Sequence, residues 1–222
     1  MEPCSVLAAN EPLVGTAPHV VTWLIVEHAG PWSAQAPQTI PEFAALKGSG
    51  ITPLFARRPN ARRHGHRYWI AREHGVHTGC GASVSQLVAM AMDEHLELSD
   101  DVNAIFICTN GARDACCATI GRKLSTAFAD DERVWECTHL GGHRFAPTAL
   151  ELPSGNVYGR LEHLEFSPAQ LRGNSYLEPR AQAAAILGTD ALVEVPISAR
   201  PESCGGPAKP GSYFAISSST SR

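Results

Sequence analysis

Two cysteines and two histidines in the second half of the chain have the types and spacing to hold a metal ion or an iron–sulfur cluster. Cys108 and Cys117 lie in the run CTNGARDACC, and His139 and His143 border the run HLGGH. We expect Cys108 to end a strand and Cys117 to lie in the first turn of the next helix, whose N-terminus lowers a thiol pKa and favours the thiolate. The glycines of HLGGH let the backbone wrap closely around an inorganic centre. Two thiolates and two imidazoles are four ligands, which satisfy a zinc ion or complete a [2Fe–2S] cluster.

These residue types alone leave both centres open. Structural zinc sites usually pair their cysteines at C-x₂₋₄-C spacing, and neither Cys116 nor Cys117 has that spacing from Cys108, which disfavours zinc. A metal-free thiol redox protein that uses Cys116 and Cys117 is a further alternative, although no C-x-x-C motif supports it. Cys137 lies two residues before His139 and is expected in the core, or at most as an alternative ligand.

Hydrophobic runs separated by turn residues predict the elements that position these side chains. Strands are predicted at residues 19–26, 51–56, 68–71, 102–108, 133–137, 148–152, 157–161 and 192–197. Helices are predicted at residues 41–47, 83–92, 114–129 and 180–187, with Ser83 as an N-cap. Residues 102–197 therefore follow the order βαβ, ββ, α, which is typical of a thioredoxin-like α/β layer. The similar runs WLIVEHAG and IFICTNG indicate a weak repeat between the two halves of the chain.

Composition and charge narrow the class of protein. The chain has 222 residues, of which 44% are hydrophobic, and this content supports a folded core and excludes wholesale disorder. A formal net charge of −4 is not that of a general nucleic-acid binder, so no nucleic-acid partner is expected. No apolar run approaches the ~20 residues of a membrane span, and the first residues do not have the pattern of a secretory signal. Seven cysteines, an odd number, argue against a disulfide framework and favour a cytoplasmic protein with reduced thiols.

Two long runs resemble a known family. IFICTNGARDACC and HLGGHRFAPTALELPSGNVYGRL, over roughly residues 104–161, resemble the sucrase/ferredoxin-like family and its thioredoxin-like [2Fe–2S] ferredoxins. In that family a strand ending in Cys-Thr-Asn leads to a second Cys, and a C-x₃-C loop precedes a Pro-containing hairpin that ends in Tyr-Gly. Here His139 and His143 replace both cysteines of that loop, as in the bis-histidinyl branch of the family. The run WLIVEHAGPW in the N-terminal half also resembles the family.

The resemblance implies a ligand set and a division of the chain. Cys108, Cys117, His139 and His143 are implied as ligands of a [2Fe–2S] cluster. Cys117 is preferred over Cys116 because the preceding Arg-Asp pair then stands three residues before the second cysteine. The implied fold is α/β, with the following parts: an additional N-terminal α/β portion at residues 1–100, a thioredoxin-like ferredoxin core (βαβ-ββα) at residues 101–197, and an irregular C-terminal tail at residues 198–222.

The resemblance also implies a one-electron carrier or redox protein rather than an enzyme. Two thiolates neutralise the +2 charge of an oxidised [2Fe–2S] core, whereas four leave −2, so we expect a reduction potential above that of plant-type ferredoxins. Ring nitrogens of His139 and His143 that do not bind iron could take up a proton on reduction, which predicts a pH-dependent potential. Sucrose cleavage needs two carboxylates across the scissile bond. The acidic runs at residues 100–101 and 130–132 are typical of solvated ends of elements, so this activity is not expected.

Two other groups of residues have both a structural and a functional interpretation. The loop RRPNARRHGHR, Arg57 to Arg67, holds five arginines and two histidines. It is interpreted as a solvated loop or as a positive docking surface for an acidic redox partner, a reductase or an electron acceptor. Cys80 in HTGCG could form a metal site with His74 and His77, but a glycine turn before a helix is the favoured interpretation.

Overall fold

The computed structural model describes residues 3–60, 65–188, 193–197 and 212–216, which form a mixed α/β fold. The strands of its main sheet are β1 Thr22–Glu27, β2 Ile51–Arg57, β3 Arg67–Arg72, β4 Gly75–Cys80, β5 Ala104–Cys108, β6 Val134–Cys137, β7 Ala149–Leu152, β8 Asn156–Tyr158 and β9 Leu171–Asn174. A separate two-stranded sheet pairs β10 Val193–Ile197 with β11 Ser212–Ile216. The α-helices are α1 Cys4–Leu7, α2 Pro41–Ala44, α3 Val84–Met92, α4 Arg122–Ala127 and α5 Pro179–Leu187. None of these helices has the length and apolarity to cross a bilayer.

The main sheet has the strand order β4-β3-β1-β2-β6-β5-β7-β8-β9. In the N-terminal half, β1 pairs in parallel with β2 and antiparallel with β3, which in turn pairs with β4. In the C-terminal half, β5 pairs in parallel with β6 and antiparallel with β7, which in turn pairs with β8. The halves join where β2 and β6 pair antiparallel at their C-terminal ends, with Ala56 opposite Cys137. The sheet is therefore continuous across the boundary predicted at residues 100 and 101.

The first three strands of the N-terminal half pair in the same register as the first three strands of the C-terminal half. Glu27 lies opposite Ala56 in the parallel pair of the N-terminal half, and Cys108 lies opposite Cys137 in that of the C-terminal half. Cys108 stands 81 positions after Glu27, and Cys137 stands 81 positions after Ala56. The antiparallel pairs repeat at the same interval: Trp23 lies opposite Ala71, and Ala104 lies opposite Leu152. The runs WLIVEHAG and IFICTNG therefore lie in equivalent strands.

One hydrophobic core extends through both halves on one face of the sheet. The Trp69 ring on β3 packs against Phe106 on β5 and Trp135 on β6, with ring centroids 5.1 and 4.7 Å away. Cys108 and Cys117 belong to the same buried cluster. Smaller clusters on the opposite face pack under α2 and α3 in the N-terminal half and under α4 in the C-terminal half. The end of β5 thus lies inside the core that joins the halves, away from water.

Most predicted elements are present with shifted ends. Ser83 caps α3 as predicted, because its hydroxyl accepts from the Gln86 N–H while the Gln86 side chain accepts from the Ser83 N–H. The predicted helix at residues 114–129 starts at residue 115, passes through a π-helical turn at Cys117–Gly121 and continues as α4. Strand β4 occupies a segment interpreted as a glycine turn, and β9 was not predicted. Strand β11 lies in the tail predicted to be irregular, and the rest of that tail lies outside the described residues.

Candidate metal centre

Cys108 lies at the end of β5, where the strand holds its sulfur inside the core. All five residues of β5 are buried, as expected for an apolar strand between two neighbours that has packing on both faces. The Cys108 N–H donates to the Thr148 carbonyl at 3.0 Å, which continues the ladder between β5 and β7. With 1% of its surface exposed, Cys108 has almost no contact with solvent.

Cys117 approaches Cys108 because the following helix packs directly on the end of β5. Cys117 is the first residue of a π-helical turn, Cys117–Gly121. A Cβ at Gly121 would overlap the carbonyl oxygen of Cys108, so this close approach requires glycine. The two buried sulfurs lie 3.2 Å apart and share a hydrogen bond. The structure therefore brings together the two cysteines that the sequence places near one another.

His139 and His143 follow β6 at the same edge of the sheet. The two glycines between them have positive φ angles of 79° and 70°, which let the short loop turn tightly. The ligand atoms of Cys108, Cys117 and His139 all lie within 4.8 Å of one another. The ring centroid of His143 is 6.5 Å from that of His139, and His143 is not part of this closest group. Three of the four predicted ligands thus converge, and the fourth lies beside them.

Asp114 links the two histidines, a role that the sequence does not reveal. Its carboxylate is completely buried, with Oδ2 3.1 Å from Nδ1 of His139 and Oδ1 3.6 Å from Nδ1 of His143. The sequence indicates Asp114 only as a candidate cap for the helix that carries Cys117. Its contact with residues 25 and 29 positions further along depends on the pairing of β5 with β6. A carboxylate at Nδ1 fixes the ring orientation and the tautomer of a metal-binding histidine.

The two neighbouring thiols have opposite pKa shifts. The hydrogen bond shared with Cys117 lowers the pKa of Cys108 well below its ordinary value, and His139 and the Leu140 N–H act in the same direction against the effect of burial. The same hydrogen bond, burial, and the nearby charges of Cys108 and Asp114 raise the pKa of Cys117. These effects shift the pKa of Cys117 in the direction opposite to the lowering expected from a helix N-terminus. Cys108 is the sulfur that ionises first.

Two further buried cysteines, Cys116 and Cys137, lie beside the centre but outside its closest group of donors. Cys137 stands opposite Cys108 in the register of β5 and β6. Burial and the nearby Cys108 raise the pKa of Cys137 well above its ordinary value, so this thiol resists the ionisation that metal binding requires. This geometry supports Cys117 over Cys116 and a core role for Cys137.

The described residues of the arginine-rich loop and of the HTGCG segment are not part of this group. Residues 61–64 of the loop lie outside the described residues. Arg57 Nε lies 2.6 Å from Glu136 Oε2, and Arg58 lies over the Trp135 ring at 5.0 Å, so both arginines tie β2 to β6. Docking of a partner on this loop stays a prediction. Cys80 is an exposed residue at the end of β4, and in the described part of the chain it joins no compact group of metal donors.

Comparison with known proteins gives one family. The model of the sucrase/ferredoxin-like family matches residues 13–168, which is more than half of the chain. The matched range contains all four predicted ligands and Asp114. No match is found among curated proteins or among solved structures.

Proposed function

Because this chain belongs to the sucrase/ferredoxin-like family, we propose that it is a ferredoxin-like electron-transfer protein that holds one [2Fe–2S] cluster. The proposed ligands are Cys108, Cys117, His139 and His143. The observation that carries the proposal is a compact group of donors, in which two buried thiols and one imidazole offer ligand atoms within 4.8 Å of one another. Paired thiolates and imidazoles are a donor set that [2Fe–2S] clusters use.

The strand arrangement supports a thioredoxin-like core around this site. In the C-terminal half, the order β6-β5-β7-β8 combines one parallel and two antiparallel pairings, with α4 between β5 and β6 in sequence. This is the order expected of the βαβ-ββα core that the sequence predicts. The site then lies where β5 ends and its helix begins, a position where loops on a rigid scaffold commonly carry function.

The residues of the chain have separate roles in the proposed centre. The cluster, when bound, supplies one-electron chemistry. Asp114 lies 3.1 Å from Nδ1 of His139, which would leave Nε2 as the nitrogen that binds the metal. The side chain of His143 is 1% exposed, whereas that of His139 is 14% exposed. His139 is therefore the most exposed of the four proposed ligands.

The charge of the donor set predicts the reduction potential. With two thiolates rather than four, the oxidised centre has no net charge, and one added electron meets less repulsion. We expect a midpoint potential above the ~−400 mV of plant-type ferredoxins. A redox titration that gives the plant-type value would contradict bis-histidinyl ligation.

The first experiment is an ultraviolet–visible spectrum of protein purified without oxygen, with iron, zinc and sulfide assayed on the same sample. Visible bands in the 300–600 nm region with about two irons and two sulfides per chain are the expected result. Cys80→Ser should retain the bands, because this exposed thiol lies outside the centre. His139→Ala and His143→Ala should change or abolish them. A protein that stays colourless and metal-free after reconstitution with iron and sulfide contradicts the proposal and favours a thiol redox protein.

A zinc-binding structural module is the second candidate. The observation that favours it is the convergence of three donor atoms on one point, which suits a single tetrahedral ion with His143 as the fourth ligand. The same sample decides between the two centres. A colourless protein with one zinc per chain would replace the cluster proposal by this one.

We propose, as the sequence predicts, that the protein acts in the cytoplasm with an acidic redox partner that docks on the Arg57–Arg67 loop. The charge of this loop suits such a partner, because complementary charge raises association rates. A salt-dependent rate of electron exchange that Arg67→Gln reduces would support it. A rate independent of ionic strength would count against docking by charge.

A further inference from the structure

Arg172 on β9 is a completely buried cation beside the candidate centre. It is 2% exposed and is among the largest buried side chains of the protein. Arg57, Arg133 and Arg144 each pair with a carboxylate. In the described part of the chain, no carboxylate lies within ion-pair distance of Arg172. A buried charge without an opposite charge is costly, so this arginine requires a partner of another kind.

The hydrogen bonds of Arg172 connect it to the loop that carries the two histidines. Its Nη1 donates to the Gly141 carbonyl at 3.0 Å, within the segment between His139 and His143. Its Nε donates to the Thr16 hydroxyl at 3.2 Å, and its Nη2 donates to the Thr16 carbonyl. All three acceptors are neutral, so they orient the guanidinium without balancing its charge.

The glycine loop is shaped around this guanidinium. Gly142 has a φ of 70°, and a Cβ at this position would overlap the guanidinium of Arg172. The cation therefore packs directly against the backbone that joins the two histidines. The guanidinium also lies over the Phe145 ring, with Cζ 5.3 Å from the ring centroid.

The sulfurs of the centre are the groups that favour the charge of Arg172. Burial and the nearby Arg144 lower the pKa of Arg172 to about 9, and Cys108 and Cys117 oppose this shift. Arg172 therefore keeps its positive charge at neutral pH.

We propose that Arg172 is the built-in counter-charge of the metal centre and the residue that positions the His139–His143 loop. This inference rests on the proposed function. In a [2Fe–2S] protein, the oxidised centre with two thiolates is neutral, and one electron from an external reductant makes it −1. The fixed positive charge of Arg172 stabilises that reduced state and raises the midpoint potential.

The test compares charge-removing and charge-keeping variants by dithionite titration of the holoprotein. Arg172→Gln should lower the midpoint potential by at least ~59 mV, a tenfold change in the one-electron equilibrium. Arg172→Lys keeps the charge and should shift the potential by much less. Arg160→Gln is the matched control, because Arg160 also lies 5.3 Å from the Phe145 centroid. The charges that act on it are those of Glu11 and Arg144 rather than those of the cysteines. If Arg172→Gln matches Arg160→Gln, or if Arg172→Lys matches Arg172→Gln, the counter-charge role is overturned.

A second measurement, made on the unmutated protein, tests the inference even if the Arg172 variants do not fold. In the unmutated chain, the Nε–H resonance of Arg172 should shift more between the metal-free and the zinc-loaded protein than that of Arg160. Equal shifts would overturn the inference. Failure of the proposed function gives a different result, because the unmutated protein then shows no visible bands. In that case the variants are compared by zinc affinity, which Arg172→Gln should reduce at least tenfold.

Discussion

Glu27 stands at the end of β1, and Cys108 stands at the equivalent end of β5, 81 positions later in the same register. Around Cys108 the chain gathers a second thiol and an imidazole. Around Glu27 it gathers backbone and charge: the carboxylate accepts from the Arg67 N–H at 3.2 Å, and a Cβ at Gly65 would overlap it. Equivalent positions in two similar strand arrangements therefore carry different chemistry.

The difference shows what the scaffold contributes and what the residues contribute. In both halves, the parallel pair of strands brings a strand end and the following loop to the same edge of the sheet. The N-terminal half uses this edge for the pair between Arg57 and Glu136, which holds β2 against β6. The C-terminal half uses it for metal donors. The arrangement of strands supplies a position, and the side chains decide whether that position binds a metal.

Removal of a thiol from the C-terminal half should cause the largest change. Cys108→Ser or Cys117→Ser takes one of two thiolates from the centre, and a serine hydroxyl does not replace a thiolate for iron or zinc. We expect bound metal per chain to fall at least tenfold, measured by elemental analysis of anaerobic protein. Cys80→Ser, at the end of β4 in the N-terminal half, should retain the metal. Equal metal contents in all three variants would show that the centre lies elsewhere.

Loss of the ion pair that joins the halves should destabilise the fold without emptying the centre. Arg57→Met leaves the carboxylate of Glu136, which is 5% exposed, without its cation. We expect the free energy of unfolding to fall by about 3 kcal/mol, measured by urea denaturation. The metal content of the folded protein should not change. The double variant Arg57→Met/Glu136→Gln should recover part of the loss, because it leaves no unpaired charge. A double variant less stable than Arg57→Met would contradict this account.

Asp114→Asn tests whether the carboxylate serves the histidines of the centre. The amide keeps the shape of the side chain but loses the charge that orients Nδ1 of His139 and His143. We expect metal affinity to fall by about 10–100-fold, measured by competition with a chelator. Asp130→Asn, at an exposed acid beyond α4, is the control and should bind metal normally. An unchanged affinity in Asp114→Asn would leave Asp114 with a structural role only.

Glu27→Cys should have the smallest effect and sharpens the comparison most directly. It places a thiol at the N-terminal counterpart of Cys108. The residues that stand 81 positions before Cys117 and His139 are Ala36 and Arg58, which offer neither a thiol nor an imidazole. We therefore expect the number of metal ions per chain to stay the same. A second equivalent of bound metal would show that the strand arrangement, rather than the donor set, is sufficient for a site.

The sequence is informative where local patterns decide the structure. The capping box of Ser83 and the strand of β5 follow from residue type and hydrophobic spacing, and both are present. The glycines and polar residues of β4 predict a turn rather than a strand. Strand β4 forms because six of its residues pair with β3, and such tertiary pairing overrides weak local propensity.

The candidate centre divides in the same way. The spacing of the two cysteines and of HLGGH follows from the printed sequence, as does the likeness to the family, because each depends on residues close together in the chain. Asp114, Arg172 and the choice of Cys108 as the first thiol to ionise do not follow from it. The roles of Asp114 and Arg172 depend on contacts between distant segments, and the order of ionisation depends on the packing of a helix on the end of β5. Burial then strengthens the electrostatic interactions among these groups, because water no longer screens them as it does in the unfolded chain.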